Sequence, residues 1–245
     1  MLEINKTTLG NSYELIKDMP DKSVDCIYTD IPYLYDSGSK GKSALSQRIG
    51  NMKDAIVENK IYDGLNYDIL DDFVRVLRKI NIFIWCSKLQ INDIMTYFLD
   101  KGAFFEILVW CKTNPTPATN NSWLPDLEYC LYFREQGVKL NNGYEHKQKW
   151  YLSPLNISDK SLYEHITIKP LDLVKKHLSH TTQPNDIIFD PFMGSGTTGV
   201  ASKELGRRFI GIEIAEKWCK ISNDRVNGIN AHGQYEMFGE VNGIT

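Results

Sequence analysis

Asp190-Pro-Phe-Met-Gly194-Ser-Gly196-Thr-Thr-Gly199 is the stretch whose reading decides the fold. The apolar run Ile187-Ile188-Phe189 leads into it and predicts a buried parallel strand. From Thr197 onward, Val200, Ala201 and Leu205 recur at helical spacing, which predicts a helix leaving the glycines. Strand, glycine turn and helix together present backbone N–H groups and a helix N-terminus to a ligand. The positive end of the helix dipole favours a carboxylate or phosphate there. Gly194, Gly196 and Gly199 match the G-x-G-x-x-G spacing of dinucleotide loops. By themselves these glycines fit a cofactor loop and an ordinary tight turn equally well.

Outward from this stretch, strands and helices alternate. Downstream, Arg208 to Ile214 predicts a strand ending at Glu213, followed by a helix over Ala215 to Val226. Upstream, Pro170 to His180 predicts a helix with proline in its first turn. Nearer the N-terminus, strands are predicted at Ile4–Leu9, Val24–Thr29 and Ile80–Cys86. Helices are predicted over Ser12–Met19, Leu65–Lys79 and Leu89–Asp100. Phe104–Cys111 and Glu128–Phe133 are strands with only a Pro/Asn-rich loop between them, so one of the two is expected to run antiparallel. The alternation predicts an α/β fold with a doubly wound, mostly parallel sheet. Asp36–Asp63 reads as a mobile loop, Gly137–Tyr163 as an insertion without regular period, and Asn227–Thr245 as a tail.

Composition sets wide bounds. A chain of 245 residues, 42% hydrophobic and 24% charged, suits one large globular domain spanning 1–245. The N-terminus lacks a basic start followed by an apolar run, so no signal peptide is expected, and no apolar run approaches a membrane span. Five cysteines without a C-x-x-C pair suggest reduced thiols in a cytoplasmic setting and no structural zinc. The net charge of −3 does not announce a nucleic-acid partner, but charge is segregated. Between Gly137 and His180 there are seven lysines against four acids, and between Asp36 and Lys60 five Lys/Arg against three acids. These runs fit a solvated surface and a local face for a phosphate backbone alike.

A second stretch narrows the reading. Asp30-Ile31-Pro32-Tyr33 follows the Val24–Thr29 strand, at the end where open α/β sheets bind ligands. Pro32 holds Ile31 extended and so fixes where its carbonyl points. The Asp30 carboxylate and that carbonyl are two acceptors for one NH₂ group, and Tyr33 offers a flat ring for stacking. This combination suits the exocyclic amine of a base drawn out of its helix. It also suits a plain strand-end turn.

Taken together, the two stretches resemble the amino-group DNA methyltransferases, which use S-adenosylmethionine to modify adenine or cytosine amines. The family's catalytic motif, Asp/Asn/Ser-Pro-Pro-aromatic, is matched here except at Ile31, which acts through its carbonyl. Its cofactor motif, Asp-Pro-Phe-x-Gly-Ser-Gly-Thr-Thr, is matched throughout Asp190–Thr198. The catalytic motif precedes the cofactor motif, as in the family's β class. Gly10-Asn11 stands where that class has Gly-Asp, and Ser23-Val24-Asp25 leads into the catalytic strand as expected. Trp110–Phe133, with Lys112, Pro115, Pro117 and Glu128, resembles part of the target-base pocket. His165-Ile-Thr-Ile-Lys169-Pro170 resembles His-Pro-Thr-Gln-Lys-Pro, with departures at Ile166 and Ile168.

The resemblance implies a Rossmann-like methyltransferase fold with a small inserted recognition segment at 137–163. It implies catalysis by Asp30, Ile31, Pro32 and Tyr33. For S-adenosylmethionine it implies contacts from Asn11, Asp30, His165, Thr167, Lys169, Asp190, Phe192, Gly194, Ser195, Gly196, Thr197, Thr198, Glu213 and Ile214, with Glu213 accepting both ribose hydroxyls and Gly199 serving helix packing. Double-stranded DNA is the implied partner, contacted through Lys40, Lys42, Lys112, Asn114, Lys147 and Lys149. A second copy of the chain and a cognate restriction endonuclease are further candidate partners. Asp at position 30 favours adenine N6 over cytosine N4, because serine is commoner in the cytosine enzymes. Methylation at cytosine carbon would need a cysteine after proline, and no Pro-Cys pair occurs.

The rival readings are a nicotinamide-dependent dehydrogenase, which has no use for Asp30–Tyr33, a catalytically impaired DNA-binding relative, and a methyltransferase of protein glutamine or RNA. His177 and His180 share a helix face and read as surface polar groups, and Trp85 and Trp110 as core or pocket wall. Trp150 and Tyr151, beside Lys147 and Lys149, fit either a DNA-stacking segment or an ordered structural loop.

Overall fold

The structure, a computed structural model, describes residues 2–34, 64–115, 117, 123–141, 143, 147–155 and 168–229. Eight strands form one sheet in the order β1-β8-β7-β2-β3-β5-β4-β6. They are β1 (Lys6–Leu9), β2 (Cys26–Asp30), β3 (Asn81–Cys86), β4 (Phe104–Lys112), β5 (Leu127–Arg134), β6 (Trp150–Ser153), β7 (Ile187–Asp190) and β8 (Arg208–Glu213). Only β5 runs against its neighbours, pairing antiparallel with both β3 and β4. Every other pairing is parallel. The expected antiparallel strand is therefore β5. It follows β4 in the chain and fills the place between β3 and β4.

Helices cover both faces. α1 (Ser12–Leu15), α2 (Ile69–Val76) and α3 (Ile91–Asp100) lie on one side, and α4 (Leu171–Thr181), α5 (Thr197–Glu204) and α6 (Glu216–Val226) on the other. The side-chain alternation of the strands divides the core accordingly. Ile27, Ile82, Ile84 and Phe189 join the α2/α3 side, while Cys26, Tyr28, Phe83, Trp85 and Ile188 join the α4/α5 side. All six residues of β3 are buried, as expected for a central strand covered on both faces.

Two local departures have tertiary causes. The predicted Leu65–Lys79 helix is shortened to Ile69–Val76, because Leu77 turns extended and bridges in parallel to Val24. Arg78 N then donates to the Val24 carbonyl at 2.9 Å, and the Arg78 guanidinium pairs with Asp25 at 2.5 Å. Within the 137–163 stretch, read as an insertion without regular period, Trp150–Ser153 forms edge strand β6, in register with Val109–Lys112. Lys176 on α4 holds it there by donating to the Gln148 and Trp150 carbonyls at 3.0 and 3.2 Å. No helix among the described residues is long and apolar enough to cross a membrane.

The chain leaves β2 toward β3 on one side and β7 toward β8 on the other. The crevice between the carboxyl ends of β2 and β7 is thus the topological switch point, where α/β sheets bind ligands.

Candidate active site

Three carboxylates mark the carboxyl ends of adjacent strands: Asp30 on β2, Asp190 on β7 and Glu213 on β8. The glycine loop after Asp190 is held from several directions. Asp190 Oδ1 accepts from Phe192 N at 3.1 Å, and Asp190 Oδ2 accepts from the Thr198 hydroxyl at 2.7 Å. Burial pushes the Asp190 carboxyl up to about 7 despite these two hydrogen bonds. Glu213 Oε2 accepts from Gly194 N at 2.8 Å and Glu213 Oε1 from Ala215 N at 2.9 Å, while burial raises its carboxyl as well. The Ser12 hydroxyl donates to the Pro191 carbonyl.

Behind the loop lies the buried Arg225 of α6, which donates to Thr197 Oγ1 at 2.8 Å and to the Ser195 carbonyl at 3.4 Å. Gly196, the residue before α5, has φ +87°, and a Cβ there would meet the Ser222 backbone at 2.9 Å. Both facts require glycine. Gly199 faces Val226 and Phe209, and a Cβ would lie 2.9 and 3.2 Å from their side chains. It seats α5 against α6 and β8. Ser195, Thr197 and Thr198 are buried, so their hydroxyls and backbone shape the loop from within. Phe192 is half-buried against Tyr13, at 6.1 Å between ring centroids. Asn11 caps α1, its side chain accepting from Tyr13 N at 3.0 Å, and Gly10 N donates to the Glu213 carbonyl. Ile214 follows Glu213 and is partly buried.

Asp30-Ile31-Pro32-Tyr33 leaves β2 beside this loop. Ile31 N donates to the Trp85 carbonyl at 3.2 Å, and the buried Gln90 donates from Nε2 to the Pro32 carbonyl at 2.9 Å. Gln90 Oε1 in turn accepts from Ser87 N at 3.1 Å. Gln90 thereby fixes the turn that aims Ile31 and Tyr33, and no sequence signal singled it out.

The carboxylate of Asp30 belongs to a cluster of charges. Lys169 Nζ lies 2.6 Å from Asp30 Oδ2 and 3.0 Å from Glu128 Oε2, and it donates to the Tyr33 hydroxyl oxygen at 3.3 Å. Lys112 Nζ lies 2.7 Å from Glu128 Oε1. Lys169 sits over the Trp85 ring, 5.1 Å from its centroid, a cation–π arrangement on a buried floor. Asp30 Oδ1 is buried and has no hydrogen-bond partner among the described residues. Burial would raise Glu128, but Lys169 and Lys112 beside it bring it down to about 2. Burial raises Asp30, against the pull of Lys169. Lys169 is held above the ordinary lysine range by Asp30 and Glu128, which outweigh its burial.

The sequence reading set Lys169 beside the cofactor; the structure places its ammonium on Asp30 and Glu128. Lys112, read as a DNA contact, faces inward to Glu128 with its side chain 13% exposed. Asn114, also read so, accepts from Leu155 N at 2.6 Å and ties the exit of β4 to that of β6. Lys147 is exposed, and Lys149 pairs with Glu106 on the surface. His165, Thr167, Lys40 and Lys42 lie outside the described residues, as does the 36–63 loop.

His177 requires a correction. It is not a surface group but is buried, stacked on Phe83 at 5.1 Å, with Nδ1 3.2 Å from the Tyr28 hydroxyl, which accepts from Trp85 Nε1 at 3.0 Å. Burial lowers its imidazole to about 3, so it is a neutral core residue. Trp85 and Trp110 are buried, as read.

Comparison with known proteins agrees with this geometry. The N6/N4 methyltransferase family, described as DNA methylase, matches residues 24–224. The type II methyltransferase M2.LlaDCHI of Lactococcus lactis subsp. cremoris is 31% identical over 242 residues, covering 89% of this chain and 87% of the relative. M2.MboI of Moraxella bovis is 31% identical over 238 residues, covering 90% and 86%. Among solved structures, the M1.HpyAVI–SAM complex superposes with a TM-score of 0.65 at 27% identity, covering 90% of this chain and 98% of the other. The cytosine-N4-specific PvuII DNA methyltransferase shares the fold, with a TM-score of 0.66 at 14% identity. A switch-point crevice lined by an acidic glycine loop and an Asp-x-Pro-Tyr turn, in a chain matched over most of its length, makes this protein a member of the N6/N4 DNA methylase family.

Proposed function

We propose that the protein transfers a methyl group from S-adenosylmethionine to the exocyclic amine of a flipped base in double-stranded DNA, with adenine N6 as the target. The observation that carries this reading is Asp30 Oδ1, a buried acceptor without a partner among the described residues, at the carboxyl end of β2 beside the glycine loop. A buried unsatisfied acceptor in a crevice calls for a donor brought by a ligand.

The residues fit the cofactor. It carries a sulfonium, an ammonium and two ribose hydroxyls, and the crevice meets these with Asp190 and Glu213, buried acids on neighbouring strands. Asp190 would hold the cationic methionine part and Glu213 the ribose. When bound, S-adenosylmethionine supplies an electrophilic methyl group. The protein's own contribution is orientation and charge placement. Asp30 Oδ1 and the Ile31 carbonyl accept from the amine hydrogens, which draws the nitrogen lone pair out of conjugation with the ring. The Tyr33 ring offers the base a stacking face. As the nitrogen takes on positive charge, Asp30 stabilises it, and Oδ1 is placed to take up the proton the amine sheds.

The choice of adenine rests on aspartate, rather than serine, at position 30. DNA contact is proposed for exposed Lys147 and its neighbour Lys149, with 137–163 as the recognition segment. The relatives are named type II methyltransferases, which supports a cognate endonuclease as partner. Five cysteines, none in a disulfide, support a reducing, cytoplasmic setting.

The test is transfer of labelled methyl from S-adenosylmethionine to unmethylated duplex DNA, followed by digestion to nucleosides. Label in N6-methyladenine is expected. Label in N4-methylcytosine would move the target base, and no incorporation into DNA would sink the proposal.

A further inference from the structure

Lys169 has three N–H donors and three oxygens around it: Asp30 Oδ2 at 2.6 Å, Glu128 Oε2 at 3.0 Å and Tyr33 Oη at 3.3 Å. Its donors are used up, so it has none left for a cofactor without breaking one of these contacts. Glu128 is occupied as fully, with Oε2 on Lys169 and Oε1 on Lys112 at 2.7 Å. The chain of contacts runs from β4 through β5 and the segment leading into α4 to β2, and it spans the end of β3, where the Trp85 ring forms its floor. It ends on one oxygen of Asp30 and leaves the other without a partner among the described residues.

We propose that Lys169, held by Glu128, is a positioning clamp that fixes the Asp30 carboxylate so that Oδ1 faces the target amine. The proposal rests on the methyl-transfer reading above and gives Lys169 and Glu128 a role exerted through Asp30. Glu128 serves a second purpose. A lone ammonium beside Asp30 would oppose the positive charge that develops on the amine, and the Glu128 carboxylate offsets it. With Lys112 included, the cluster holds two lysines and two acids. Arginine is the conservative replacement for Lys169, since it keeps the charge and several donors, whereas methionine keeps the volume and removes both.

The experiment measures turnover on unmethylated duplex DNA and, separately, S-adenosylmethionine binding by calorimetry, for the full chain and its Lys169→Met, Lys169→Arg, Glu128→Gln and double variants. Loss of a charge-assisted hydrogen bond to the reacting group predicts a fall in kcat of about 10- to 100-fold for Lys169→Met. The cofactor Kd and the KM for DNA should stay within about threefold, and Lys169→Arg should recover part of the loss. Because Glu128 acts through Lys169, the double variant should be no slower than Lys169→Met alone. Losses that multiply, or a kcat within threefold of the unaltered chain, would overturn the clamp. So would a loss confined to cofactor affinity, which would return Lys169 to the cofactor site. Glu128→Gln changes one atom and carries the same test if Lys169→Met does not fold. Absence of transfer by the unaltered chain removes the methyl-transfer reading and the clamp with it; transfer by the unaltered chain with an unaffected Lys169→Met removes the clamp alone.

Discussion

Replacing Asp190 by asparagine should stabilise the cofactor-free protein at high pH while weakening cofactor binding. The Asp190 carboxyl rises from an ordinary 3.8 to about 7, chiefly because burial disfavours its charge. Below pH 3.8 the group is protonated folded and unfolded, and it makes no pH-dependent contribution. As pH rises toward 7 the unfolded chain loses this proton and the folded chain keeps it, so stability falls; above 7 both are ionised and the full penalty is present. At about 1.4 kcal/mol per tenfold change in proton affinity, that penalty is about 4 kcal/mol.

Asparagine keeps the shape and can still accept from Phe192 N, while the Thr198 hydroxyl can turn to accept from the new amide. About half the penalty, roughly 2 kcal/mol, should be recovered at pH 8.5, raising Tm by about 4–8 °C for a chain of this size. At pH 5 the gain should be much smaller. Thermal unfolding of both proteins between pH 5 and 8.5, without cofactor, measures the difference directly. Calorimetry at pH 8 should show S-adenosylmethionine bound at least about tenfold more weakly by the variant, since a cation loses its counter-charge. A Tm difference that stays flat across the pH range, or reverses sign at pH 8.5, refutes the reasoning.

Other perturbations follow from the same geometry. Asp30→Ala should abolish methyl transfer while leaving the cofactor Kd within about threefold; unchanged turnover would remove Asp30 from the chemistry. Gly199→Ala places a methyl 2.9 Å from Val226 and should lower stability by about 1–2 kcal/mol, read in the denaturant midpoint; an unchanged midpoint would show that α6 yields freely. Lys147→Ala should weaken DNA binding uniformly across sequences and make the salt slope shallower by about 0.9. Lys149→Ala should do less, because its ammonium is already shared with Glu106, and an unchanged slope in both would leave this segment as plain surface.

Much of this protein was legible in one dimension. The apolar runs at 26–30, 81–86, 187–190 and 208–213 are strands because each is a short, nearly continuous apolar segment bounded by turn residues, a pattern set by neighbours in sequence. The glycines of the 194–199 loop were legible for the same reason. A backbone at φ +87° beside Ser222 excludes a side chain, and that exclusion is written as glycine. The Asp30–Tyr33 turn was legible as a candidate site because its two acceptors and its ring lie within four residues, and only its pairing with the glycine loop set it apart from a plain strand-end turn.

What tertiary structure alone decided are the contacts made across long separations. Trp150–Ser153 becomes a strand because β4 offers an edge and Lys176 holds the Gln148 and Trp150 carbonyls at its start. The α2 helix ends at Val76 because Leu77 finds a partner in Val24, 53 residues earlier in the chain. His177 is neutral and buried because Phe83 and Tyr28 close over it. Lys169 makes the same point at the site itself. Its resemblance to a family motif set it beside the cofactor, and in the fold its long, flexible ammonium goes where opposite charges converge in a low dielectric. Asp30 and Glu128 converge only when β2 and β5 are brought to the two sides of β3.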